Sequence, residues 1–439
     1  MSADKRLTEQ IVERAAQRAR GAGVQALLRS VETSGVNFEN DRLKSAESSQ
    51  RTEIQVRVIV DGKVGVSNTT DVRDVDGVVS RALEAAQFGS PAHYEMPAAQ
   101  PLAAVKTFDP AILPVAKPEM IQMGQSMMEM IKAYNPQILA EAGVEKSVAT
   151  IEFANSAGAT YSAEHTTFNA GAGGQLVRGT DILFAGYGVG SKQRLVDTEE
   201  IADKAIEYFR MAERIAPVQT GQMPVIFTPA GSAALLLSLA LGLDGKNVLL
   251  GASPLRDKLG QAIADPSFTL TDNPWLDYGP NTMSFDDEGV PCRVTPLIED
   301  GVLRNFVYDL DTAGRASVQP TGHGARRRYT NLVVSPGETS YAEMVRGIKQ
   351  GLLVHEFLGL GQGNPINGEF SANVFLGYKI ENGEIVGRVK DVMLAGNAYD
   401  ALKDIVAISR EQERMGGSFT WFPGLLPYIQ VGKLSVVAK

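Results

Sequence analysis

The stretch Val148-Ala-Thr-Ile-Glu-Phe-Ala-Asn155-Ser-Ala-Gly158-Ala-Thr-Tyr-Ser-Ala-Glu-His165 lies within a run from 138 to 192 whose reading decides the fold. Apolar segments in that run are interrupted at Asn155, at Gly158, at Gly171-Ala-Gly-Gly174 and at Gly179. They carry no helical period and are punctuated by turn residues, which predicts an antiparallel meander. Helical patterns stand on both sides of it, so the fold class expected is α+β.

Towards the N-terminus, Leu7, Ile11, Val12 and Ala15 recur at helical spacing in a segment that Gly21 and Gly23 end. Residues 25–32 and 51–60 read as strands, and Asp61-Gly62 is a hairpin turn signal ahead of Val64-Gly-Val66. Residues 74–88 return to helical period, and a Pro- and Ala-rich link from 91 to 118 leads to a helix at 119–133. Its methionines, Met120, Met123, Met127, Met128 and Met130, are read as core packing.

On the other side of the meander, residues 198–213 predict one more amphipathic helix, and the Pro- and Gly-bearing segment after it is taken as a domain boundary. The expectation is two domains, 1–216 with a sheet and flanking helices, and 217–439, mostly β. The second opens with the strand Val225-Ile-Phe227 and a helix at 230–243 that is apolar all round and therefore buried. Turn pairs Glu288-Gly289, Asp300-Gly301 and Asn382-Gly383 punctuate short strands beyond Pro274.

The 439 residues are 44% hydrophobic and carry 42 basic against 51 acidic side chains, a net charge of −9 that argues against a nucleic-acid binder. The one dense basic patch, Arg326-Arg327-Arg328, reads as a turn or an internal ion-pair cluster. One cysteine excludes an intrachain disulfide, the first residues show no apolar leader, and no apolar run reaches the roughly 20 residues that span a bilayer. No membrane association and a cytoplasmic location are expected.

Metal chemistry would draw on four histidines, His93, His165, His323 and His355. His355-Glu356 begins like a zinc-binding helix, but Gly359 stands where a second histidine belongs, and the flanking Leu and Val residues predict a strand that sends the two side chains to opposite faces. Gly359-Leu-Gly-Gln-Gly363 lacks the spacing of a nucleotide loop. Cys292 reads as a buried, inert thiol, and Asp286-Asp287-Glu288 as a solvated turn that could otherwise hold a cation. No metal site and no cofactor are expected in this chain.

Several segments nevertheless come in a recognisable order: Ser284-Phe-Asp-Asp-Glu-Gly-Val-Pro291, Pro320-Thr-Gly-His-Gly324, Gly351-Leu-Leu-Val-His-Glu-Phe-Leu-Gly359, Gly368-Glu-Phe-Ser371, Gly377-Tyr-Lys-Ile-Glu-Asn-Gly-Glu-Ile385 and Met393-Leu-Ala-Gly-Asn397. Together with Leu426-Pro-Tyr-Ile-Gln-Val431, and more weakly Asn40-Asp-Arg-Leu-Lys-Ser45, they make the chain resemble the TldD/PmbA family, in particular its PmbA (TldE) branch. The resemblance implies two-domain proteins that pair as dimers around an internal cavity. The TldD branch resembles a zinc peptidase with His-Glu-x-x-x-His on a helix near the start of the C-terminal domain, and the PmbA branch lacks that motif. The matching helix here, Ala230-Gly-Ser-Ala-Ala-Leu-Leu-Leu-Ser-Leu-Ala-Leu241, holds neither His nor Glu. At His355 the PmbA pattern, as the resemblance suggests it, often has Thr.

Three functional readings are weighed. The first is a non-catalytic subunit that, with a TldD-type zinc chain, encloses extended or unfolded peptides for cleavage. The second is a stand-alone homodimeric hydrolase with a site assembled from His323, His355, Glu356, Cys292 or the 286–288 turn. The third is a binding or modulator protein with no part in proteolysis.

Overall fold

The structure is a computed structural model and describes residues 6–194, 197–325, 329–417 and 420–438. The Arg326-Arg327-Arg328 patch lies outside the described residues.

The first half contains α1 (Leu7–Arg18), β1 (Gly23–Glu39), β2 (Arg42–Val60), β3 (Lys63–Thr69), α2 (Val75–Gln87), α3 (Lys117–Tyr134), β4 (Leu139–Asn155), β5 (Thr160–Arg178), β6 (Asp181–Ser191) and α4 (Thr198–Met211). Its strands form one antiparallel sheet in the order β3-β2-β1-β4-β5-β6. Tight turns set the register: Asn40 and Asp41 both take positive φ between β1 and β2, as do Asp61 and Gly62 between β2 and β3. The methionine-bearing α3 covers one face, with Met120, Met127 and Met128 buried against Val36, Phe38 and Val144.

β1 and β2 are about twice as long as the sequence suggested. Their outer halves, residues 33–39 and 42–50, are Ser-, Asn- and Glu-rich because the face opposite α3 is open, so the apolar signal of a strand thins out there. β3 pairs only with residues 54–60 of β2, which leaves residues 42–53 a bare sheet edge among the described residues.

The second half contains β7 (Gly221–Phe227), α5 (Ala233–Gly242), α6 (Gly245–Leu249), β8 (Leu270–Asp272), β9 (Thr295–Glu299), β10 (Val302–Leu303), α7 (Leu310–Ala316), β11 (Leu332–Val334), α8 (Tyr341–Arg346) and β12 (Gln350–Leu358). It continues with β13 (Glu369–Glu381), β14 (Glu384–Arg388), β15 (Val392–Asn397), α9 (Ala398–Lys403), β16 (Ile405–Met415) and β17 (Gly424–Ala438). β7, β12, β13, β15 and β17 close into a ring, because β17 pairs with both β15 and β7.

The period of two along these strands divides the ring into two cores. Val225, Phe227, Leu352, Val354, Ile429 and Val431 pack with Leu235, Leu236 and Leu239 of α5. The alternate residues Ile226, Leu353 and Tyr428 join the core under α3 and α4 of the first half. The sheet of the second half is thus apolar on both faces, and the two halves share a core.

A second fastening is the 284–291 turn, whose acidic residues were expected in solvent. Asp286 and Glu288 are instead buried. The Asp286 carboxylate accepts the backbone N–H groups of Glu288, Val290 and Gly324, each at 2.9 Å. Glu288 pairs at 2.7 Å with Arg57 of β2 and accepts the Leu310 N–H at 2.8 Å. Phe285 enters a cluster with Leu27, Phe153 and Tyr161 of the first half. No described helix is long and apolar enough to cross a membrane.

Candidate functional site

β7 leads into α5 through Thr228-Pro-Ala-Gly-Ser232, and the tightness of that turn is set by Gly231, where a Cβ would run into the Val354 carbonyl oxygen. The Gly231 N–H donates to Thr228 Oγ1 at 3.1 Å, and the Thr228 N–H donates to the Val354 carbonyl at 3.0 Å. Thr228 Oγ1 in turn lies 3.1 Å from Nδ1 of His355. That oxygen accepts from Gly231 and has a second lone pair and a proton to share with Nδ1, so either tautomer of the imidazole satisfies the contact. Burial, with Lys204 adding a smaller effect, lowers the His355 pKa to about 4, so the ring is neutral at pH 7. The Tyr208 ring lies 4.2 Å from it.

His355 and Glu356 do not part to opposite faces. β12 slips register against β13 here, Val354 facing Gly377 and Glu356 facing Leu376, so that His355 is the extra residue of a bulge. Both side chains line the same cavity, of about 860 Å³, between the open face of the first sheet and the second half. Burial raises the pKa of Glu356. Ala230 and Ala233, at the start of α5, also line it, with Phe357, Phe375 and Trp421, and Phe375 stacks on Phe184 of β6 at 5.9 Å.

The other residues singled out in the sequence lie elsewhere. His323 is buried, does not line the cavity, and places Nδ1 2.9 Å from Thr321 Oγ1, with Nε2 3.0 Å from Asp272 Oδ2 but out of line for a hydrogen bond. Asp272 also accepts the Thr330 N–H and hydroxyl, each at 2.8 Å. Cys292 is buried with its Sγ 3.1 Å from the Gly322 carbonyl, and burial, reinforced by the Asp286 and Asp272 carboxylates, pushes the thiol pKa well up. It is an inert thiol. His165 is buried beside Lys192, and His93 is exposed on the link before α3. The four histidines therefore belong to four separate surroundings.

The cavity's first-sheet wall was not foreseen. It is built from residues of five strands that sequence separates widely, among them Glu47, Glu141, Glu145 and Gly171. Only strand pairing gathers them.

With this geometry in hand, comparison with known proteins is informative. Residues 220–438 match the PmbA/TldA metallopeptidase C-terminal domain, and residues 24–86 match the PmbA/TldA metallopeptidase domain 1. The chain belongs to the PmbA/TldD family. It is 25% identical to a protein of Methanocaldococcus jannaschii over 86% of this chain and 89% of that one. It is 29% identical to the metalloprotease PmbA of Escherichia coli O157:H7 over 46% of this chain and 45% of that one. In fold it is similar to TldE from Thermococcus kodakarensis, with a TM-score of 0.90 at 20% identity, covering 99% of this chain and 100% of that one.

A metallopeptidase family raises the question of a metal. α5 buries Ala234, Leu235, Leu236, Ser238 and Leu239 and presents no imidazole, thiolate or carboxylate. Among the described residues no three of His, Cys, Asp or Glu come together as a metal site. A hydrolytic zinc takes three protein ligands and an open position, and the residues present do not fit it.

Proposed function

We propose that this chain is a PmbA/TldE-like subunit of a TldD/PmbA-type metallopeptidase system, acting in the cytoplasm on extended or unfolded peptides, with hydrolytic zinc held by a TldD-type partner. The observation that carries this reading is the cavity at the start of α5. It offers a peptide-sized space beside a bare strand edge, next to a helix with no group able to hold a metal.

Along residues 42–53 the outer edge of β2 has no strand partner among the described residues, with Lys117 reaching the Ala46 carbonyl, and on such an edge an extended peptide gains hydrogen bonds with little regard to its sequence. His355 supplies a neutral imidazole within the cavity, and Glu356 a carboxyl group. These groups bind and orient. Breaking the peptide bond falls to the partner.

The test is a peptidase assay on an unfolded protein with this chain alone, a TldD-type chain alone and the two mixed, alongside metal content by mass spectrometry. Cleavage only in the mixture, with no metal in this chain, is expected. Stoichiometric zinc and hydrolysis by this chain alone would overturn the reading in favour of a homodimeric hydrolase.

A further inference from the structure

The bare edge of the first sheet offers its hydrogen-bonding groups on a fixed set of residues. Val60 and Lys63 flank the two-residue turn Asp61-Gly62 and pair across it, so the backbone groups of Val60 point to the β3 side. No register shift interrupts β2 between Ser45 and Val60. Alternation therefore turns the groups of Ala46, Ser48, Gln50 and Thr52 outward, while the odd-numbered residues bond to β1. The Ala46 carbonyl agrees with this parity, since the Lys117 ammonium reaches it at 3.3 Å.

Glu47 and Arg51 are both exposed and stand on one face of the strand. Four residues apart, they are about 13 Å from each other along β2, too far to pair within the chain. Neither has an ion-pair partner among the described residues. Charges on an edge ordinarily repel an arbitrary strand. These two are placed so that one particular strand is matched, which is β2 itself.

Two antiparallel copies of the edge pair only with outward residues opposite outward residues, which leaves few registers. Centred on Glu47, that residue faces itself; centred on Gln50, it faces Glu53; centred on Ser48, Glu47 and Arg51 face Ser49 and Ser45. Centred on Ser49, Glu47 of each copy faces Arg51 of the other, and symmetry makes the match twice. Odd-numbered positions are then the non-hydrogen-bonded pairs, with Cα atoms about 4.5 Å apart, where opposite charges on facing strands meet.

We infer that residues 45–53 of β2 are a self-recognition surface, on which a second copy of this chain pairs antiparallel about a two-fold axis at Ser49. The pairing merges two six-stranded sheets into one. Opposed residues share a face, so both cavities lie on the same side of it. The Ala46 carbonyl keeps a second lone pair for the incoming N–H beside Lys117. The inference does not rest on the peptide-binding reading, but the two use one edge. A second copy and an added peptide exclude each other there, and the dimer is the form in which the edge is capped.

Sedimentation equilibrium of the full chain without peptide, over a range of concentrations, tests this, and a reversible dimer is expected. Glu47→Arg and Arg51→Glu each turn both contacts repulsive and should weaken dimerisation at least about tenfold. The two single variants mixed should form a heterodimer. E47R/R51E, which swaps the charges, should return to within about threefold of the unaltered chain. Such recovery rules out misfolding as the cause of the loss. Under mild oxidation Ser49→Cys should crosslink two copies, because a residue on the axis meets itself within disulfide range. Gln50→Cys, whose copies lie about 8 Å apart, should not. The native Cys292 is buried and does not compete.

A monomer at every concentration would overturn the inference, as would single variants that dimerise like the unaltered chain. So would a loss that neither mixing nor the charge swap recovers, or crosslinking of Gln50→Cys in place of Ser49→Cys. These readouts contain no peptide and no second protein, so failure here is told apart from failure of the peptidase assay.

Discussion

Arg57, on a strand of the first sheet, and Glu288, on a turn of the second half, meet at 2.7 Å with both side chains buried. Burial opposes both charges, yet Glu288, with Tyr94 and Asp287 adding to it, outweighs this for Arg57 and raises its pKa, while the Glu288 pKa is raised despite Arg57 and the Leu310 N–H. A pair so placed contributes more to the alignment of the two halves than to net stability. Arg57→Met should cost about 3–5 kcal/mol by stranding a buried carboxylate. Adding Glu288→Gln, which still accepts from Leu310, should recover a large part of it. Urea titrations of the single and double variants check this, and a double variant no more stable than Arg57→Met would refute it.

The neutral His355 makes stability depend on pH. Its pKa is about 4 in the fold and about 6.5 when unfolded, so below pH 6.5 the unfolded chain takes up the proton first. The contribution is complete above pH 6.5 and is lost as pH falls towards 4, amounting to about 3 kcal/mol at most. Chemical denaturation of the unaltered chain and His355→Gln between pH 7.5 and 4.5 should show the gap closing in acid; a gap that stays constant would contradict the assignment.

Gly231 allows the turn into α5 to lie on the Val354 carbonyl. Gly231→Ala must push that turn away, with an expected cost of about 1–3 kcal/mol, and should loosen the Thr228–His355 hydrogen bond. The His355 imidazole NMR signals should shift accordingly, and unchanged signals would show that the turn adapts elsewhere.

Cys292 is the chain's one thiol, and it is buried beside carboxylates that oppose its ionisation. Labelling by a disulfide reagent at pH 8 should be slower by orders of magnitude in the native chain than in denaturant. Rapid native labelling would show that the 284–291 turn opens readily.

The sequence carried the local geometry well where one residue type had one structural use. Asp61-Gly62 and Asn382-Gly383 both adopt the positive φ that their hairpins need, and α5 is buried along most of its length, with only Leu237, Ala240 and Leu241 on a half-buried face. The polar outer halves of β1 and β2 were not legible, because a strand with one open face and few apolar residues has the composition of a loop. The bulge at His355 was equally hidden, since a one-residue slip leaves no mark in a Leu- and Val-rich run. The 286–288 acids misled for a related reason: three successive carboxylates ordinarily face water, and only the folded chain brings Arg57 and four backbone N–H groups to them. Of the site, His355 and Glu356 could be singled out in advance, whereas Glu47, Glu141 and Glu145 stand on three strands and become neighbours only through their register.

β17 hydrogen-bonds to β7, β11, β15 and β16, yet every one of these precedes it in the chain. At about 5–20 residues per second, the 211 residues from Phe227 at the end of β7 to Ala438 at the end of β17 occupy a ribosome for roughly 10–40 s. During that interval the first sheet already has all six strands, while β7 waits with no partner on one side. A nascent chain of this protein therefore passes through a long-lived half-built stage, in which the apolar strand Val225-Ile-Phe227 is the segment a chaperone would meet.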